Sequence, residues 1–206
     1  MPTIARNAAS SRSLAFTCLA LVVSAGLAAC GGGAQARTGF IPSSVRLAKT
    51  DDLTRSWRAT SFDGTGYGRI VVMPVSMPQP DEYGDLDAEQ LRTCRETLEE
   101  ELRTKLANGI VGGSGDRTLV VRAAITAIKP NKPLLNVAPQ TQIMKRGYGY
   151  ASCEIYATDG DGGSIVAAFM QTSDTSRFSD EKLSQTGTAR RAAGDWADEF
   201  RTLLMR

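Results

Sequence analysis

Hydrophobic and polar positions along this chain follow two different rhythms, and the switches between them mark its elements. Tyr67-Gly68-Arg69-Ile70-Val71-Val72-Met73-Pro74-Val75 is a compact β-rich run closed by proline, which predicts a buried strand ending at Met73 or shortly after. From Asp87 the period becomes helical. Leu91, Cys94, Leu98, Leu102 and Leu106 form one apolar stripe, and Arg92, Glu96, Glu99, Glu100 and Arg103 fall on the opposite, solvated face. Local signals agree: Asp87 can cap, Gln90 is placed as its capping-box partner, Leu86 and Leu91 fit a hydrophobic staple, and Asn108-Gly109 ends the helix. Thr118 to Ile128 then alternates, with Leu119, Val121, Ala123, Ile125 and Ala127 on one side and Arg122 and Thr126 on the other. Tyr148 to Thr158 repeats the pattern, setting Ala151, Cys153, Ile155 and Ala157 against Tyr150, Ser152, Glu154 and Tyr156. Asp159-Gly160-Asp161-Gly162-Gly163 turns the chain into a hairpin with Ser164 to Thr172. A last helix, Gly187 to Leu204, carries the stripe Ala189, Ala192, Ala193, Trp196, Phe200, Leu203 and Leu204.

These elements predict an α+β fold, a mixed four-stranded sheet in the order β-α-β-β-β-α with both helices packed on one face. The first two strands flank a helix long enough for a parallel crossover, and the last three pair antiparallel. The other face, with Arg122, Thr126, Glu154 and Tyr156, is expected to meet water or a partner.

The start of the chain obeys a different logic. A basic segment with Arg6 and Arg12 precedes the apolar run Leu14 to Val23, and Leu27-Ala28-Ala29-Cys30 follows. This is the pattern of a secretory signal, and its apolar stretch is shorter than the roughly 20 residues that span a bilayer. Its ending resembles the lipobox of bacterial lipoproteins, which implies cleavage after residue 29 and acylation of Cys30. Two or more acyl chains anchor firmly where one does not. Gly31 follows the cysteine instead of aspartate, so the expected location is the outer membrane, facing the periplasm. Residues 1–29 read as the signal peptide, 30–63 as a lipidated tether and extended arm, and 64–206 as a single domain. Within the arm, Gly39-Phe40-Ile41-Pro42, Val45, Leu47 and Trp57 are its expected anchors onto the domain.

Composition narrows the chemistry. The full chain has 24 Lys plus Arg, 22 Asp plus Glu and no histidine. Loss of Arg6 and Arg12 with the signal leaves it neutral, which argues against nucleic acid as a partner. Without histidine, the commonest general base and metal ligand is missing. No cofactor or metal site is expected. Gly112-Gly113-Ser114-Gly115 lacks the following helix a phosphate cradle needs, and in the Asp159 turn Met170 stands where a calcium loop wants glutamate. Cys94 and Cys153 both point into the predicted helix–sheet layer, which leaves two readings open: a disulfide or two buried free thiols. The connection Lys129 to Gly147 is long and carries Leu134, Leu135, Val137 and Met144. Together with Tyr150 and Tyr156 these are the expected binding residues, and the partner is expected to be an envelope protein.

The chain also resembles a family of proteobacterial lipoproteins carrying domain of unknown function 3313. The resemblance rests on Gly39-Phe40, Trp57, Met73-Pro74-Val75, Ala127 with Pro133-Leu134-Leu135-Asn136, and Ala189 to Leu203 with Trp196 and Phe200. It brings no catalytic residues. The expectation is a non-enzymatic adaptor of the envelope. The alternatives are a carrier of a small ligand or lipid, or a hydrolase built on Glu154 with Asp159 or Asp161.

Overall fold

The computed structural model describes residues 37–110, 115–130, 149–174 and 185–206. Within them, six strands form one sheet: β1 (Ala48–Lys49), β2 (Thr54–Arg58), β3 (Tyr67–Val72), β4 (Arg117–Lys129), β5 (Tyr150–Asp159) and β6 (Ile165–Asp174). Two long helices accompany it, α1 (Ala88–Ile110) and α2 (Gly187–Met205). The order across the sheet is β1-β2-β6-β5-β4-β3, with β3 and β4 parallel and the remaining pairs antiparallel. The fold is therefore α+β with a mixed sheet, but six-stranded where four strands were expected. The two additional strands come from the arm. Thr54-Arg55-Ser56-Trp57-Arg58 offers no apolar alternation, so its pairing is dictated by the β6 backbone rather than by a pattern of its own.

The helix signals are realised atom by atom at the start of α1. The Asp87 N–H donates to Gln90 Oε1 at 3.0 Å while the Gln90 N–H donates to Asp87 Oδ1 at 2.8 Å, a complete capping box. The α1 stripe of Cys94, Leu98, Leu102 and Leu106 is buried, as are Ala192, Trp196 and Phe200 of α2. They pack with Leu119, Val121, Ile125, Ile155 and Phe169 of the sheet in the main core. A bulge between Ile125 and Ala127 shifts the phase of β4, so Ile128, and not Ala127, joins that core.

The opposite sheet face is closed where it was expected to be open. Val120, Ala124, Ser152, Glu154, Ala168 and Met170 are all buried. A second apolar cluster on that side joins Ile41 and Val45 to Ala168 and Met170, with Phe40, Leu47, Trp57, Tyr156 and Ile165 packed around them. Burying a side chain the size of Ile41 contributes about 2 kcal/mol. The layers are thus helices, sheet and arm, and residues 37–58 belong to the packed body.

Candidate functional site

The most distinctive polar arrangement lies under the arm. Alternation along β5 turns Cys153 and Ile155 toward the helices and Glu154 toward the other face, where Glu154 is 0% exposed. Its Oε1 accepts from the Thr38 N–H at 2.6 Å and from Thr38 Oγ1 at 3.0 Å, and its Oε2 accepts from the Ile41 N–H at 2.9 Å. Gly39, at φ +91°, sits between the two donor peptides, in a conformation that side chains rarely adopt. The carbonyls of the same loop are gathered by Arg37. Its Nη1 donates to Val45 O at 2.9 Å, and its Nη2 to Ile41 O at 2.8 Å and Pro42 O at 2.7 Å. The loop is held between a carboxylate that takes its N–H groups and a guanidinium that takes its C=O groups. Phe40 covers the neighbouring Tyr156 ring, with centroids 5.3 Å apart and planes tilted by 55°.

The other candidate carboxylates are engaged elsewhere. Asp159 accepts from Arg117 Nε at 3.1 Å and also from Arg117 Nη2, and the Arg117 hydrogen bonds hold its pKa below the ordinary aspartate value. The same guanidinium lies 4.4 Å from the Tyr67 ring centroid, and burial raises the Tyr67 pKa. Asp161 accepts from Arg122 Nη2 at 2.5 Å. Five residues of strand place Glu154 and Asp159 about 16 Å apart along β5. Paired glycosidase acids lie roughly 5–9.5 Å apart, so these two are not brought together as such a pair.

Of the expected binding residues, Tyr156 is half-buried beneath Phe40 and Tyr150 is half-buried at the start of β5, where burial raises its pKa. Leu134, Leu135, Val137 and Met144 lie outside the described residues, as does Cys30, the residue expected to be lipidated. Cys94 and Cys153 are free thiols, both buried. Burial pushes Cys94 up to about 11 and Cys153 well above the ordinary thiol value. Among the described residues, no cluster of three or more His, Cys, Asp or Glu could hold a metal, and no helix is long and apolar enough to cross a membrane.

The partners that sequence reading missed are Arg37, Thr38 and the Ile41 N–H. Two of the three bonds to Glu154 come from backbone, which leaves no trace in residue type. The available signal was a glutamate in an otherwise apolar and small-residue strand, opposite an arm with Phe and Ile to dock.

Comparison with known proteins gives the setting. No curated protein is found to match the chain. PelC of Paraburkholderia phytofirmans, solved as a dodecamer in two crystal forms, is similar at 11% and 10% identity with TM-scores of 0.44 and 0.45, each match covering 73% of this chain and 95% of that one. A Caulobacter crescentus CB15 protein assigned as a lipoprotein is 14% identical, with a TM-score of 0.37 over 68% of this chain and 91% of its own. The model of the family "Protein of unknown function (DUF3313)" matches residues 36–200, most of the chain, and the protein belongs to that family.

Proposed function

We propose that the protein is a lipid-anchored module of the bacterial envelope, held on the periplasmic side of the outer membrane, that binds another protein and catalyses no reaction. The observation that carries this reading is the Glu154 clasp. The buried acid of the sheet has both oxygens occupied in fixing Thr38 and Ile41, and so serves to hold the arm on the body. Through that arm the fold connects to the lipobox cysteine. Only eight residue steps separate Cys30 from Thr38, so the docked arm lies within about 28 Å of the anchor even at full extension. A module fixed so close to a membrane surface suits holding a partner there. Leu134, Leu135, Val137 and Met144 are the proposed contact residues of the Lys129 to Gly147 connection.

A photo-crosslinker at Leu135 in cells tests this, with Cys30→Ala beside it and mass spectrometry of the mature N-terminus. The expected result is an acylated Cys30 and a heteromeric adduct that Cys30→Ala abolishes. An unmodified Cys30, or the protein recovered only without a crosslinked partner, refutes it.

A further inference from the structure

The two edges of the sheet are built differently. The β1 edge is two exposed residues, Ala48 and Lys49, short and charged in the way that blunts an edge against pairing. The β3 edge runs six residues, Tyr67 to Val72, and over Ile70-Val71-Val72 it carries neither charge nor proline. Its backbone direction is set by the ladder. The Met73 N–H donates to Val121 O at 2.9 Å, so by alternation Val71 also faces β4 while the N–H and C=O groups of Ile70 and Val72 face outward. Among the described residues no strand pairs with that side. Beside it lies a groove of about 340 Å³ between β3 and α1, lined by Arg69, Ile70, Val71, Val72, Arg103 and Ala107.

We propose that this edge takes an extended segment of a partner protein as an added strand, one that alternates apolar and acidic residues. This rests on the protein-binding reading above and names the surface and the chemistry of the partner. An added strand sends successive side chains to opposite faces. On the helix side its apolar residues meet Ile70 and Val72, both packed against the main core, and Ala107. On the other side its acidic residues meet Arg69, which is exposed and has no ion partner among the described residues. Arg103 borders the groove while pairing with Glu99 at 2.5 Å. A second copy of this chain is the poorer occupant. Its own edge, Tyr-Gly-Arg-Ile-Val-Val, brings another arginine and no acid.

The test is a fluorescence-anisotropy titration of the full chain in detergent with the peptide Thr-Glu-Val-Glu-Val-Glu-Thr and its counterpart with Lys in place of Glu. The acidic peptide should bind at least tenfold more tightly than the basic one, and Arg69→Glu should reverse that preference. Val72→Pro should abolish binding with little change in melting, because it deletes an outward N–H and spares the ladder to β4. Equal affinity for both peptides, no binding of either, wild-type binding by both variants, or a β3-linked dimer that excludes the peptide overturns the proposal. Crosslinking at Leu135 and the mass of the N-terminus do not enter this titration, so its failure leaves the broader reading standing.

Discussion

Replacing Glu154 by alanine should release the arm and leave the helix–sheet body folded. The side chain accepts the Thr38 and Ile41 N–H groups at 2.6 and 2.9 Å, beneath an Ile41 that is 0% exposed. A buried donor left without its acceptor costs about 1–3 kcal/mol. The Thr38 hydroxyl can rotate to another acceptor, but the two peptide groups cannot, so the expected loss is about 3 kcal/mol after relaxation. The main core of α1, α2 and the sheet contains no arm residue before Ala59, so this loss falls on arm docking. In hydrogen exchange it reads as roughly 100-fold faster exchange of the Ile41 amide, at tenfold per 1.4 kcal/mol. Glu154→Gln should fall between. Its oxygen can replace Oε1, but its amide then points a donor at the Ile41 N–H, and exchange should quicken about tenfold. An Ile41 amide that exchanges at the wild-type rate in Glu154→Ala would refute the clasp.

Two further outcomes follow from the side-chain environments. Asp159 is held below the ordinary carboxylate value, first by its hydrogen bonds from Arg117. Its contribution to stability is therefore present above that value, 3.8, and lost as pH falls through the lowered one. Melting followed from pH 6 downward, a range about the usual carboxylate titration, should show a shallower acid limb in Asp159→Asn than in the wild type; parallel limbs would remove the assignment. Cys94 and Cys153 are buried free thiols with raised pKa values. An alkylating reagent at neutral pH should leave both unmodified in the folded chain and label both after denaturation without reductant, whereas no labelling after denaturation would show a disulfide.

The parts of the fold that could be read from the residues are those in which side chains carry the information. The capping box needs Asp87 and Gln90 at a fixed spacing, and both bonds form. The β5–β6 hairpin needs a glycine-rich turn between two apolar runs, and Gly160 and Gly162 adopt φ of +73° and +75° there. The crossover from β3 through α1 to β4 needs only strand, helix and strand in order, and those two strands pair in parallel. What escaped is what backbone decides. Strand β2 has no alternation of its own because one side of it is an edge partner to β1 and its pairing surface is main chain. The phase of β4 after Ile125 depends on a one-residue bulge, which no periodicity count registers.

The second sheet face shows why the count of strands and the exposure of Glu154 came out wrong together. An antiparallel strand with one apolar and one polar face is ordinarily half solvated, and Tyr150, Ser152, Glu154 and Tyr156 satisfy that description. The same alternation also fits a face covered by a segment that brings donors for the glutamate and an aromatic ring for the tyrosine. Residue type on the strand cannot separate the two cases, because a glutamate suits both water and a ring of N–H groups. The arm decides between them: Ile41 and Val45 have apolar surface to bury, and Arg37 satisfies the carbonyls that burial would otherwise strand. A lone glutamate facing away from the core is therefore informative only when read with the segment able to reach it. Here that segment lies eight residue steps beyond Cys30 at Thr38, so the three hydrogen bonds that dock the arm also set how much free chain separates the folded body from the proposed anchor.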